Sequence, residues 1–550
     1  MRIYCLVFYF FFITLVMGFF VTPSAVANCE YKKILSMKQD TPLLAPISYP
    51  KPSTNNKGIL KLVSNKPFTT LSPFGIGTMP ADYYMLGYDT LFSVSLNDVN
   101  TFFPLLATSY CQSNNKLIIK INLQATWNDG VVLNANDVLF TFYSLKKIAY
   151  PTYFQTLKQI KSFKLLNNHT LVLFSELPFS KKQLASLFSI PVIPKHYWQH
   201  HDLLTNSLLI PPFSGGYTIK KLTPDGKLII WQQNPNYWGK KLPIRQGYYN
   251  FLVMQYTYAN SMQDTLKLWQ QHQVNFIKQL NPVDISPNKL GQNTIIKYFP
   301  IGYIPPFKGF FFNTTKPNLQ KVQVRHAIAL AYDFASINKY IFNNQQQRLH
   351  SLFSNSDFVE LNFQEKFNLV KADELLNTAG FMVKKGKRRT NNGEEPFILS
   401  IVFNSKQEVN NNLVFLHNLQ LLGITVHLRV VDLSKYPLLL KNKDYDLLLG
   451  TYLFSDNPST ELQQYFSFSN PNIYNYSQLH DVFVNKTIQQ IIQKPDNNRV
   501  LLQKLDAYLQ KQYIYIPLFY YPKQVYIYKD IFKPYKVTPF GIDIFTLEAK

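Results

Sequence analysis

The segment QATWNDGVVLNANDVLFTFYSLKK, Gln124 to Lys147, decides how the rest of the chain is read. Asn128-Asp129-Gly130 is a turn sequence, because glycine tolerates positive φ and the Asp side chain can bond nearby backbone. Asn134 or Asn136 can cap a helix, and Asp137 suits the positive helix end. Val138, Phe142 and Leu145 then follow at helical spacing. Such a unit could serve a catalytic corner, a nucleotide cradle or a larger scaffold, and the flanking sequence has to choose.

On either side the pattern alternates. After a Pro/Ser/Asn-rich lead, Thr41 to Lys57, strands are predicted at Gly58–Val63, Leu117–Leu123, Leu171–Phe174, Gly423–Val426 and Tyr445–Gly450. One long helix is predicted over Val324–Phe342, and helical patterns lie between the last two strands and over Val482–Gln510. Strands and helices mix without a fixed repeat, so the fold class is α/β.

A chain of 550 residues with 46% hydrophobic content can bury several cores and is not disordered in bulk. The net charge of +24 raises the question of nucleic acid or an anionic surface. Its lysines are scattered, however, and the dense run KKGKRRTNNGEE (Lys384 to Glu395) reads as a turn closed by two glutamates. No nucleic-acid motif accompanies the charge, so no nucleic-acid partner is expected. The N-terminus has a basic residue (Arg2), an apolar run from Ile3 to Val21 and Ala25-Val26-Ala27. That order predicts a signal peptide over 1–27, export, and a soluble mature protein; a retained membrane anchor is the competing reading. Cys29 and Cys111 remain after cleavage and are a disulfide candidate in an oxidising compartment, with two free thiols as the alternative.

Enzyme motifs are mostly absent: no G-x-S-x-G elbow, P-loop, H-E-x-x-H or kinase set occurs. Pro212-Phe-Ser-Gly-Gly216 lacks the first elbow glycine and reads as a turn before a strand at Tyr217. His196 and His200 are one helical turn apart but have no acidic third ligand nearby, so aromatic packing at a helix end is expected and no metal. His326 reads as a helix residue. Carboxylates cannot be paired across space from sequence, so a glycosidase pair stays open. No catalytic residue and no cofactor are assigned.

The opening stretch strongly resembles a signature of the large extracellular solute-binding proteins, family 5, through Trp127, Asp129, Gly130, Ala135, Asp137 and Val138. Further elements agree in order: Tyr88-Asp89-Thr-Leu91, Pro104-Leu-Leu-Ala107, Ser214-Gly-Gly-Tyr217, Asn234-Pro-Asn-Tyr237-Trp238-Gly239, and Phe312-Asn313-Thr314 followed by Val322 to Asp333. Gly216 stands where the family usually has proline. Leu242-Pro243-Ile-Arg245 and Tyr332 to Lys339 look like the Yej-type oligopeptide-binding branch, which is associated with peptide import and uptake of the peptide-nucleotide antibiotic microcin C. Ser459 and Thr460 depart from that branch's P-G-N-E run.

The resemblance implies a type II periplasmic-binding-protein fold with two lobes joined by hinge strands. Lobe I would span 28–306 with an extra small domain near 80–201, lobe II 307–517, and 518–550 would return to lobe I. Hinges are expected near Ile304–Lys308 and Ile516–Tyr520. The implied function is a periplasmic subunit that closes on an oligopeptide and delivers it to an inner-membrane ABC permease and its ATPase, as a monomer and not as an enzyme. A peptide's positive terminus needs a buried carboxylate, for which Asp456 is the implied residue and Glu461 the reserve. Tyr452, Phe454 and Tyr303 would wall the pocket, and Phe74 with Gly75 would offer a contact from lobe I. The competing functions are binding of a metal chelate or oligosaccharide, and an exported glycan or peptidoglycan hydrolase.

Overall fold

The computed structural model describes residues 58–550 apart from 76–78, 80–81, 95–100, 149, 280–289, 360–365, 391–392, 432–434, 456–457, 468–473, 494–497, 534, 536 and 539–540. The predicted signal, Cys29 and Asp456 lie outside the described residues.

Two sheets organise the chain. The first has seven strands in the order Thr294–Pro300, Lys523–Lys529, Phe276–Gln279, Ile59–Ser64, Val253–Tyr258, Leu228–Gln233 and Tyr217–Leu222. The second has five, in the order Thr425–Val430, Ile398–Phe403, Leu447–Tyr452, Phe307–Phe312 and Tyr515–Pro517. A four-stranded antiparallel sheet, Ala107–Ser113, Lys116–Ile121, Thr170–Ser175 and Ile160–Asn167, is inserted between the first two strands of the seven-stranded sheet in sequence.

Side-chain alternation explains how each sheet is buried. In FKGFFF, Phe310 and Phe312 enter one apolar core with Leu399, Ile401 and Leu447, whereas Phe307 and Phe311 enter another with Tyr452 and Tyr515. A strand covered on both faces has no polar side to show, hence its near-continuous apolar sequence. The seven- and four-stranded sheets share a third core that includes Leu60, Ile119, Leu171, Trp127 and Trp231.

The opening stretch is a joint. Gly130 takes φ +88°, Val131 N–H donates to Asp129 Oδ1 at 3.1 Å, and His196 Nε2 meets Asp129 Oδ2 at 2.8 Å. Asn134 caps the helix Ala135–Lys147, accepting from Asn136 N–H, and Asp137 completes a capping box from inside the first turn. The other Asp137 oxygen accepts from Lys195 N–H at 2.9 Å, which ties this helix to the turn carrying His196. Trp127 packs beneath, 1% exposed.

Other signature residues meet in one buried network. Arg245 Nη2 lies 2.6 Å from Asp89 Oδ1, Arg245 Nε donates to Tyr237 Oη at 3.1 Å, and the tyrosine hydroxyl donates to Asp89 Oδ2 at 2.9 Å. Ser214 Oγ accepts from Asp89 N–H. The Gly215-Gly216 pair is required by close approach: a Cβ on Gly215 would sit 2.5 Å from the Leu86 carbonyl oxygen, and one on Gly216 would sit 2.4 Å from the Tyr249 ring.

Two local readings need correction. The helix predicted over Val324–Phe342 is two, Val322–Leu330 and Phe334–Phe342, because Asp333 caps the second and accepts from Ser336 N–H. Asn418 Nδ2 takes up the Ala331 carbonyl left between them. The pattern over Val482–Gln510 is likewise two helices, Val482–Gln493 and Arg499–Lys511. The basic run does turn between two short strands, Val383–Lys384 and Lys387–Arg388, and Arg388 within it is fully buried: it donates to the Leu422 and Phe381 carbonyls and pairs with Asp373.

Removing one partner of a buried ion pair leaves the other charge unpaired. Asp89→Ala is therefore expected to destabilise the protein by about 3–5 kcal/mol, and Tyr237→Phe by about 1–2 kcal/mol. Urea unfolding of both variants checks the ranking.

Candidate functional site

Strand polarity locates the site. In the seven-stranded sheet Ile59–Ser64 runs parallel to Val253–Tyr258 and Phe276–Gln279. Gln279 is opposite Val525, and Pro300 is opposite Lys523. The carboxyl ends of the parallel strands thus lie on the edge where the chain departs after Pro300 and re-enters at Lys523. In the five-stranded sheet Ile398–Phe403 runs parallel to Thr425–Val430 and Leu447–Tyr452, and Phe307 is opposite Tyr452. Its carboxyl ends also lie where the chain arrives at Phe307. Both sheets therefore turn their parallel carboxyl ends toward the two crossings, 301–306 and 518–522. In open α/β sheets that crevice is where ligands bind.

At the crossings Ile301 N–H donates to the Pro522 carbonyl, and Asn355 Nδ2 donates to the carbonyls of Ile301 and Tyr303 at 3.0 Å each. Tyr303 itself is half-buried. These bonds hold the two crossing segments side by side.

On the five-stranded side, Lys308 Nζ pairs with Glu408 Oε1 at 2.6 Å and lies 5.5 Å from the Phe519 ring centre. Lys308 therefore touches both crossing strands and the helix Lys406–Asn411. The second Glu408 oxygen is buried with no hydrogen bond among the described residues. Tyr332, Tyr436 and Tyr521 all lie within its electrostatic reach, although burial is the main cause that pushes their hydroxyls up.

The next strand ends at Thr451 and Tyr452, and Leu453, Phe454 and Ser455 follow it. Glu461, in the first turn of the helix Ser459–Phe466, accepts from Ser455 N–H at 3.1 Å. Burial pushes its carboxyl up, and the bonds from Ser455 oppose that.

The seven-stranded side offers a second polar group. Tyr256 Oη donates to Asp82 Oδ2 at 2.7 Å, and Lys278 stands 5.8 Å from the ring centre of Tyr526, its cross-strand neighbour. Burial pushes the Asp82 carboxyl up, while Tyr256 and Lys278 oppose the shift. Asp543 is within electrostatic reach of Asp82, Arg245 and Lys278.

The residues expected from sequence divide. Glu461 and Tyr303 sit at the crossing edge with part of their surface open. Tyr452 does not form an open wall: it is fully buried, stacked 4.0 Å from Tyr465 and 4.8 Å from Tyr476, and its hydroxyl donates to the Tyr474 carbonyl. Phe454 is also buried, edge-on to Phe353 and Tyr465. Phe74 is a core residue against Tyr150. Gly75 is half-buried in a local turn, where its N–H donates to the Ser72 carbonyl. The apolar group that does face outward is Leu453, 60% exposed, since alternation sends it opposite to Tyr452 and Phe454. Lys308, Glu408, Asp82 and Lys278 were not foreseen; a lone lysine in an apolar strand was the available signal for the first.

Among the described residues no group of three or more His, Cys, Asp or Glu is placed to hold a metal ion. His201 stacks on Tyr197 at 4.1 Å, whereas His196, one of the two histidines considered from sequence, is held by Asp129 Oδ2 at 2.8 Å, an acidic neighbour that sequence spacing did not reveal. Cys111 is disulfide-bonded, and its partner lies outside the described residues.

Two α/β bodies, each with its own sheet and joined by paired crossings beside a polar crevice, define a two-lobed solute-binding protein of type II. Residues 101–475 match the family described as bacterial extracellular solute-binding proteins, family 5 (middle region), and the chain belongs to that family. It is 26% identical over 556 residues to an uncharacterized protein, YejA, of Escherichia coli (strain K12), covering 90% of this chain and 89% of the relative. It is 23% identical over 520 residues to the peptidoglycan-binding protein YepA of Agrobacterium fabrum (strain C58 / ATCC 33970), covering 82% of this chain and 84% of the relative. The fold is similar to that of the oligopeptide-binding protein AppA of Bacillus subtilis in complex with a nonapeptide, with a TM-score of 0.73, 18% identity, and coverage of 90% of this chain and 99% of that one.

The Asp543 carboxyl is pushed up to about 6, chiefly by burial. Its folded value lies above its unfolded one, so its stabilising contribution is full below about pH 4 and is lost as pH rises through about 6. Asp543→Asn should match the parent near pH 4 and melt higher at pH 8. Melting curves of both proteins across that range measure the difference.

Proposed function

We propose that the chain is the exported binding subunit of an ABC importer, that it takes an oligopeptide into the crevice between the two bodies, and that it passes the peptide to an inner-membrane permease driven by its ATPase. The proposed division is 28–306 and 518–550 for one lobe and 307–517 for the other, with 301–306 and 518–522 as the segments about which they close. The observation that carries this reading is the convergence of the parallel carboxyl ends on a crevice holding carboxylates and an open leucine, in a chain of this family. Variable side chains favour recognition through backbone and charge, with water filling the remaining space. A free amino terminus calls for an anionic partner, and Glu461, with Asp456 just before its helix, is assigned that role. Peptide-nucleotide antibiotics of the microcin C type fit as related cargo. The name of the Agrobacterium fabrum relative favours one second reading, a peptide-bearing peptidoglycan fragment.

Thermal shift with di- to octapeptides separates these readings. A true ligand at a hundredfold excess over Kd stabilises by about 2.7 kcal/mol. Free-amine peptides should raise the melting temperature more than their N-acetylated forms, and Glu461→Gln should narrow that gap. If only peptidoglycan fragments, chelated metal or oligosaccharide shift melting, the peptide reading fails.

Cys29 is assigned as the partner of Cys111. A non-reducing digest of the mature protein should yield the two cysteine peptides linked, and a free Cys29 peptide would refute the pairing.

A further inference from the structure

The first body carries a cavity of about 250 Å³ at the end of its sheet away from the crossings. It opens where Leu228–Gln233 ends and Val253–Tyr258 begins, so a strand of six residues, roughly 17 Å, separates it from the crevice. Its working residues are Asn234, Lys240, Arg245, Gln246, Tyr248 and Tyr249.

The polar character of this cavity is one-sided. The Arg245 side chain is 9% exposed, and its guanidinium lies 5.5 Å and 5.6 Å from the ring centres of Tyr248 and Tyr249. Its Nε and Nη2 are engaged by Tyr237 and Asp89, whereas Nη1 makes no hydrogen bond among the described residues. Lys240 is exposed at the rim. No Asp or Glu is among the described residues that line the cavity. Asp89, behind Arg245, neutralises one of the two positive charges, and Asp543, also within reach of Arg245, adds a negative charge of its own once the pH rises above about 6.

The wall is also held in an unfavourable backbone geometry. Tyr249 has φ +62°, which costs an L-residue about 1–2 kcal/mol. Its N–H donates to the Phe545 carbonyl at 2.8 Å, its carbonyl accepts from Gln233 Nε2 at 2.8 Å, and its hydroxyl donates to the Met85 carbonyl at 3.1 Å. Strain fixed by several bonds is characteristic of sites that must keep a shape. Planar oxyanions match the fork of a guanidinium, and aromatic walls suit a flat body attached to the anion.

We propose that this cavity is a second binding site, separate from the crevice, for a small molecule bearing a carboxylate or phosphate group. Arg245 receives the anion, Lys240 supplies a second positive charge at the rim, and Tyr248 and Tyr249 wall the pocket. The volume limits the guest to a small molecule or the end of a larger one.

The test is titration calorimetry on the full mature protein with sodium benzoate and with sodium phosphate, against sodium chloride at equal ionic strength. Saturable binding of one oxyanion is expected; benzoate alone indicates an aromatic carboxylate, and phosphate alone a phosphorylated guest. Lys240→Glu should weaken that binding by about tenfold or more. Asn234→Asp keeps the acceptor for Asn236 N–H and should weaken it similarly. Peptide-induced melting shifts should be unchanged in both variants, so this site and the crevice can fail separately. Absence of saturable binding, or an affinity in both variants equal to that of the parent protein, overturns the proposal.

Discussion

Two sheets that must share one chain at two crossings impose the geometry on which everything else depends. Once Thr294–Pro300 passes into Phe307–Phe312, and Tyr515–Pro517 passes back into Lys523–Lys529, the polarity of every neighbouring strand is set by its pairing register. Carboxyl ends of the parallel strands then have no choice but to meet at the gap. Loops at those ends can vary in chemistry while the sheets beneath stay packed on both faces. A binding protein for variable guests benefits from that separation of scaffold and surface.

The signature residues belong to the scaffold. Asp129 braces the turn, Asp137 completes the helix cap and clamps Lys195, and Trp127 is a buried wedge, while Asp89 and Arg245 neutralise each other inside the first body with Tyr237 bonded to both. Apart from Trp127, each is a polar device replacing water where backbone or charge would otherwise be stranded. Such devices require particular residue types at particular spacings, which is why they stand out in a single sequence. They identify the fold and leave the guest unspecified.

This explains what was legible. Strand alternation at Leu117–Leu123 and the capped helix after Asn134 were readable because period and cap are local. The break at Ala331–Asp333 was harder: its apolar spacing continues past Asp333, the residue that caps the second helix, and a tertiary bond from Asn418 takes up the carbonyl freed between the two. Site residues were least legible. Tyr452 and Phe454 follow the right strand but face inward, and parity against a distant partner, not their own sequence, decides that orientation. Leu453 and the Lys308–Glu408 pair are set by the same long-range register, 100 residues apart in the latter case.

The return of the chain at Lys523–Lys529 has an effect on assembly. This strand lies inside the seven-stranded sheet, flanked by Phe276–Gln279 and Thr294–Pro300, although it is the last long strand to be synthesised. The five-stranded sheet needs only residues 307 to 517, one uninterrupted piece. During vectorial synthesis the middle of the polypeptide can therefore condense while the earlier portion still waits for its keystone, and a chain released short of Lys523 would expose an unzipped sheet interior to its neighbours.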